Sequence, residues 1–223
     1  MREIVLDTET TGLDPADGHR IVEVAGVELF NHLPTGRVFH CFINPERSMP
    51  AEAEAVHGLT EEFLAGHPVF AVHVDALIEF LGTARLVIHN AEFDIRFLNA
   101  ELKRLDRPGL ALEVVDTLLL ARRRFPGAPA SLDALCRRFE IDLSARDKHN
   151  ARLDCELLAS VYLELIGGRQ PGFDLAAAAQ QAAAARAAIE RPARPPRAHA
   201  ATDAELAAHA AMLDKLKEPL WRV

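Results

Sequence analysis

What most limits how this chain folds is a short apolar run that leads straight into acid. Ile4-Val5-Leu6 is followed by Asp7-Thr8-Glu9-Thr10-Thr11-Gly12. Residues two apart on a strand share a face, so Asp7 and Glu9 project together from the end of a buried strand. Two carboxylates forced together repel unless a proton or a cation separates them. A solvated strand edge accommodates the same pair, and the D-x-E motif alone leaves both readings open.

Two further polar clusters sit at the boundaries of regular elements. Leu86-Val87-Ile88 reads as a buried strand that stops at His89-Asn90-Ala91-Glu92-Phe93-Asp94, with Asp94 in the first turn of a helix over Phe93–Leu105. By itself such an acid simply serves the helix dipole. His149-Asn150-Ala151-Arg152-Leu153-Asp154 opens a helix over Arg152–Leu165, ended by Gly167-Gly168, and places Asp154 in its first turns. A lone histidine near a helix start is an ordinary surface residue. Together the three clusters give four acids and one histidine, each at the start or end of a strand or helix.

The intervening sequence supplies the rest of one domain. Arg20–Phe30 alternates as a second strand and Val38–Ile43 as a third. Leu132, Leu135, Cys136 and Phe139 repeat at helical spacing behind Ser131, a good N-cap. Strands first, then strands interleaved with helices, predict an α/β fold, one mixed sheet flanked by helices. The 223 residues are 49% hydrophobic and 26% charged, enough for one core with an appendage. No run approaches the ~18–20 apolar residues of a membrane span. The N-terminus lacks the basic flank and cleavage site of a signal peptide. Cys41, Cys136 and Cys155 have no metal-ligand spacing and read as free thiols of a reducing cytoplasm.

Composition changes sharply after residue 168. From Ala176 to Ala201, 14 of 26 residues are alanine, and Pro192, Pro195 and Pro196 follow one another closely. Such a stretch has nothing to bury and reads as a linker. Thr202-Asp203-Ala204-Glu205 is then a capping box, followed by Leu206, Leu213 and Leu216 at helical spacing and by Trp221, the only tryptophan. A linker ending in an amphipathic helix with an aromatic anchor reads as a docking segment; the alternative is a helix folded back on its own domain. The expected boundaries are residues 1–168 for the folded domain, 169–201 for the linker and 202–223 for the docking segment.

The formal charge is −8, with 17 basic against 27 acidic residues in 1–168 and 8 against 6 beyond. That balance disfavours a simple electrostatic nucleic-acid binder, unless the acids recruit cations. The ordering D-x-E, then HNxxFD, then H-x4-D resembles the DEDDh family of 3′–5′ exonucleases. Longer stretches (IVLDTETTGLDP, VHGLT, LVIHNAEFDIRFLN, VVDTLLLARRRFPG, SLDALCRRFEID and the C-terminal ATDAELAAHAAMLD…LW) are similar to the proofreading subunits of bacterial replicative polymerases. The likeness covers nearly all of the chain except the linker.

This resemblance implies a ribonuclease-H-like fold and hydrolysis with two divalent cations, Mg²⁺ or Mn²⁺, which oxygen-rich sites favour. It implies that Asp7 bridges both cations, that Glu9 and Asp154 complete the nucleophile side, and that Asp94 supports the second. His149 is implied as general base. Thr8, Thr10 and the Gly12 turn would approach the terminal nucleotide, with His57 and His89 along the primer strand. Phe93 reads as core, and Arg122-Arg123-Arg124 as a solvated basic helix face. Gln170, Phe173 and Leu175 resemble a sliding-clamp-binding peptide, and Leu206, Leu213, Leu216 and Trp221 would dock on the polymerase alpha subunit. The resemblance leaves a small accessory subunit open. Two other functions compete with proofreading of a DNA primer 3′ end. One is an RNA-trimming exoribonuclease, which has no need of the C-terminal helix. The other is a catalytically idle polymerase–clamp adaptor, which has no need of five intact catalytic positions.

Overall fold

The computed structural model describes residues 1–144, 146, 148–167 and 200–217. The chain divides into two compact units, Met1–Pro171 and Gly172–Val223.

The first unit is built on a five-stranded mixed sheet. β1 (Arg2–Thr10), β2 (Ile21–Phe30) and β3 (Leu33–Phe42) form an antiparallel meander, while β4 (Arg85–Ile88) and β5 (Val114–Asp116) add on in parallel, giving the order β3-β2-β1-β4-β5. The third strand begins five residues before the expected Val38. Asn31 and His32 both adopt positive φ, 50° and 68°. This is the twist a two-residue hairpin needs, so pairing starts directly at Leu33. Pro34 is tolerated because β3 is an edge strand.

Helices cover both faces. α1 (Ala51–His57), α2 (Glu61–Ala65) and α3 (Phe70–Leu81) lie between β3 and β4, and α4 (Ala91–Arg104) follows β4. α5 (Thr117–Arg124), α6 (Leu132–Arg138) and α7 (Ala151–Leu165) follow β5. Strand alternation sends Ile4, Leu6, Val24, Leu86 and Ile88 into one core with Phe70, Leu77, Phe97 and Leu102 of α3 and α4. Val5, Ala25, Val27 and Val87 point the other way, into a second core with Leu135, Cys155, Leu158 and Val161 of α6 and α7. The expected α/β fold is therefore present, with ends differing by a residue or two where β4, α4, α6 and α7 were foreseen. β5 and three helices (α1, α2 and α3) are additions to that reading, and α5 contains the basic helix face expected at Arg122–Arg124. The α3 stripe Phe70, Val74, Leu77, Leu81 is nonetheless regular at helical spacing, and all four side chains are buried.

In the second unit, α8 (Asp203–Leu213) starts at the capping box: the Thr202 side chain accepts from the Glu205 backbone N–H, and the Glu205 carboxylate returns to the Thr202 N–H. Leu206 and Leu216 are exposed and Leu213 is buried. Gln170, Phe173, Leu175 and Trp221 lie outside the described residues. Among the described residues no helix is long and apolar enough to cross a membrane.

Candidate active site

The two faces of β1 bring different helices to one point. Glu9 shares the face of Val5, which packs on α7, the helix that carries Asp154. Thr8 lies on the opposite face, where its Oγ1 donates a 2.7 Å hydrogen bond to Oδ1 of Asp94 at the start of α4. A register shift between Glu9 and Thr10 ends the regular β1–β2 pairing at this point. Bulges of this kind re-aim side chains at the rims of sheets.

The N-terminus of α7 is fixed by polar contacts. Asn150 is its N-cap, accepting from the Leu153 N–H at 3.0 Å. The His149 backbone N–H donates to the Val56 carbonyl of α1 at 3.2 Å. Glu23 of β2, fully buried, accepts from the Asn150 amide at 3.1 Å, from the Ala151 N–H at 3.3 Å and from His40 Nε2 at 2.7 Å. On the other side, Asp116 at the end of β5 accepts from the N–H groups of Leu118 and Leu119 in α5 and from those of Asn90 and Ala91 at the start of α4. One carboxylate thus holds two helix starts, and Asn90 takes a positive φ of 66° to meet it.

The result is a crowd of acids. Burial first, then Asp94, Glu9 and Asp154, hold the Asp7 carboxyl well above its ordinary range. Glu9 is pushed up to about 8, by burial and then by Glu23, Asp154 and Asp94. Asp94 rises to about 7 through burial, against the Thr8 hydrogen bond. Asp154 goes the other way: burial acts to raise it, but the hydrogen bonds from Arg146, with His149 alongside, prevail and lower it.

Arg146 is the one cation in direct contact with these acids among the described residues. Its Nε donates to Asp154 Oδ1 at 2.5 Å and its Nη2 to Oδ2 at 2.7 Å, while Nη1 reaches Asp133 Oδ1 at 2.5 Å. Its Nη2 also lies 3.0 Å from His149 Nδ1, which is itself 3.3 Å from Asp154 Oδ2. The rest of the His149 side chain is half exposed.

Two clefts flank the cluster. The first, of about 540 Å³, includes Glu9, Thr10, Gly12, His57 and Phe93 in its lining. His57 accepts from the Leu59 N–H through Nδ1, so its proton sits on Nε2, which is buried. The second, of about 560 Å³, is lined by Asp7, His89, Arg122, Arg146, His149 and Asp154 among others. Thr117 Oγ1 donates to the Ile88 carbonyl and therefore accepts from His89 Nδ1, at 2.9 Å.

All nine residues expected at the catalytic, metal and substrate positions thus fall at this cluster or in its two clefts. Thr8 adds a side-chain role in holding Asp94. Phe93 is partly core, its ring 4.9 Å from that of Phe97, and partly cleft wall. The arginine run departs from a plain solvated face: Arg122 lines the second cleft, and Arg124 donates to the Glu164 and Leu165 carbonyls at the end of α7. Glu23, Asp116 and Arg146 are additions. An acid inside the otherwise apolar first half of the Ile21–Phe30 strand is a readable signal for Glu23, as Glu28 is farther along it; nothing local marks Arg146.

Ligand atoms of Glu9, His149 and Asp154 lie within 4.8 Å of one another. Carboxylate oxygens with one imidazole and no thiolate suit a hard divalent cation, and acids raised by burial and by mutual repulsion are a site that a cation relieves. The residues fit divalent metal ions.

Comparison with known proteins places this arrangement. The exonuclease family matches residues 4–162. A DNA polymerase III subunit epsilon of Rickettsia conorii is 52% identical over 179 residues, 78% of each chain. That of Escherichia coli K12 is 42% identical over 236 residues, covering 99% of this chain and 97% of its relative. Among solved structures, Exonuclease X in complex with 5′ overhanging duplex DNA aligns with a TM-score of 0.59 and 28% identity over 74% of this chain and 90% of that one. The nuclease domain of 3′hExo, a DEDDh family member bound to rAMP, shares the fold with a TM-score of 0.65 at 18% identity, over 74% of this chain and 91% of that one. The chain belongs to the exonuclease family, among the epsilon subunits of DNA polymerase III.

Proposed function

We propose that this chain is the 3′–5′ proofreading exonuclease of a replicative DNA polymerase, removing mispaired 3′-terminal nucleotides as nucleoside 5′-monophosphates. The observation that carries the reading is the convergence of Asp7, Glu9, Asp94, Asp154 and His149 at the end of β1, between two clefts. In the hydrolysis, water adds to phosphorus, the P–O3′ bond breaks, and the shortened strand keeps a 3′-hydroxyl.

Asp7, Glu9, Asp94 and Asp154 would hold two divalent cations, Mg²⁺ or Mn²⁺, which would supply positive charge at the scissile phosphate. His149 takes the proton of the attacking water; for one ring nitrogen to accept it, the other must carry hydrogen, and Asp154 Oδ2 is there to receive that N–H. The first cleft accepts the terminal nucleotide against Thr10, Gly12 and Phe93, with His57 in the same lining. His89 and Arg122 meet the phosphates on the 5′ side in the second cleft.

The C-terminal segment is the tether. The exposed Leu206 and Leu216, with Trp221, bind the polymerase alpha subunit, and Gln170, Phe173 and Leu175 bind the sliding clamp. Linking raises the local concentration of nuclease at the primer end without new contacts in the site, which suits a domain of net negative charge. Work on replicating DNA would place the enzyme in the cytoplasm. Digestion of 5′-labelled DNA and RNA, with paired and mispaired 3′ ends, tests the activity. Stepwise DNA shortening, faster at mispairs and abolished by EDTA or Asp7→Ala, is expected; preference for RNA, or no digestion by folded protein, overturns it.

A further inference from the structure

Both oxygens of Asp154 are already taken. Arg146 spans them with Nε and Nη2, at 2.5 and 2.7 Å, and this guanidinium is only 7% exposed, its remaining nitrogen held by Asp133. An arginine N–H can only donate, so Nη2, 3.0 Å from His149 Nδ1, makes that nitrogen an acceptor and leaves the ring proton on Nε2. The alternative partner of Nδ1 is Asp154 Oδ2 at 3.3 Å, and that contact needs the proton on Nδ1 instead. The two arrangements of His149 exclude each other, and Arg146 selects the one in which Nε2 cannot accept a proton.

We propose that Arg146 competes with the divalent cation for Asp154: its fork on Asp154 and His149 must be given up for a cation to take that carboxylate, and while it holds it keeps His149 in the non-accepting tautomer. The inference rests on the reading of Asp154 as a metal ligand. It follows from charge as much as from geometry. The acid cluster has no other cation in direct contact among the described residues, and an unpaired buried carboxylate is strongly destabilising. A guanidinium placed there stabilises the metal-free fold, and the same contacts must be given up for a metal to reach both oxygens. Asp133, 41% exposed, keeps hold of the displaced arginine.

The test uses the full chain as wild type, Arg146→Gln and Arg146→Lys. Mn²⁺ affinity is measured by calorimetry in the absence of DNA, and the His149 tautomer of the metal-free protein by ¹⁵N NMR. The expected results are a dissociation constant about tenfold lower in Arg146→Gln, and a ring proton that moves from Nε2 to Nδ1 in the metal-free variant. Arg146→Lys, which cannot span two oxygens and conserves charge should the glutamine variant fail to fold, is expected to shift both readouts part of the way. Unchanged or weaker Mn²⁺ binding in the folded variants overturns the proposal and makes Arg146 a support for a bound metal. Wild-type protein that binds no Mn²⁺ overturns the metal reading itself, and the proposal with it.

Discussion

Glu9 and Glu23 face each other in direct cross-strand register on β1 and β2, and both are buried. Like charges in this position destabilise a sheet, yet the two acids have different fates. Glu23 is surrounded by donors: His40, the Asn150 amide and the Ala151 N–H. Glu9 has no such set and is pushed up to about 8, with Glu23 the largest charged contributor after burial. The pair therefore divides the work: one carboxylate anchors α7, and the other stands ready for a ligand.

Replacing the anchor should thus impair catalysis without touching substrate. Glu23→Ala leaves two donors unpaired at the start of the helix that carries Asp154 and follows His149, and a third, His40, on β3, at a cost of about 1–3 kcal/mol for each buried group left unsatisfied. The expected outcome is a lower melting temperature and a kcat reduced at least about tenfold with KM little changed, with Glu23→Gln intermediate. An unaltered kcat in folded Glu23→Ala would remove Glu23 from the positioning of α7.

The acid cluster should give the metal-free protein an inverted pH dependence. Glu9 binds its proton up to about 8 when folded, against 4.5 ordinarily, and Asp94 up to about 7 against 3.8. Between those limits the folded state holds protons that the unfolded chain has lost, so stability falls as pH rises. His57 and His89, kept below their ordinary value by burial, act in the opposite sense up to about pH 6.5. The slope is therefore read as a difference. Urea midpoints in EDTA from pH 5 to 8.5 should decline more steeply for wild type than for Glu9→Gln; parallel curves would contradict the assignment.

Asp7 has the most crowded carboxyl, raised by burial and by Asp94, Glu9 and Asp154. Asp7→Asn removes a charge that is repelled in the metal-free state and needed in the loaded one. Expected are a higher melting temperature in EDTA, no further stabilisation by Mg²⁺, and exonuclease activity lower by about 10³-fold or more. A variant that is still stabilised by Mg²⁺ as strongly as wild type would show that Asp7 is not a ligand.

The Thr8 hydrogen bond is the largest influence lowering Asp94 toward its charged form. Thr8→Val keeps the shape and deletes the donor, so Asp94 should hold its proton to higher pH. The acid limb of the pH–rate profile should move upward, with activity at pH 7 reduced about fivefold for a shift of one unit from about 7, and largely recovered near pH 8.5. A uniform loss at every pH would assign Thr8 a purely steric role.

The acids proposed as ligands were legible as a group because each belongs to a local pattern: an apolar run, then acid, or an acid in the first turn of a helix. Periodicity also placed β2, β4, α4, α6 and α7 within a residue or two. The signal of α3 was equally present in Phe70, Val74, Leu77 and Leu81, whereas β5 has only three residues and no room for a pattern. Arg146 and Asp116 were beyond reach for a different reason. Their roles consist of contacts with Asp133 and Asp154, and with two helix starts, which only the folded chain brings together.

The C-terminal helix offers the cleanest separation of nuclease from tether. α8 is stabilised at its start by the reciprocal Thr202–Glu205 capping box, and Leu206 and Leu216 expose 55% and 46% of their surface. Removing a threonine cap costs a helix about 1 kcal/mol, and truncating an apolar anchor in a docking face costs about 1–2 kcal/mol or more. Thr202→Ala should therefore weaken binding to the polymerase alpha subunit severalfold, and Leu206→Ala with Leu216→Ala by more than about tenfold. Both should digest a free oligonucleotide at the wild-type rate. Binding by calorimetry beside single-turnover digestion checks the two halves independently. Full affinity in the double variant would return α8 to an uninvolved appendage, while a loss of digestion would tie it to the exonuclease unit.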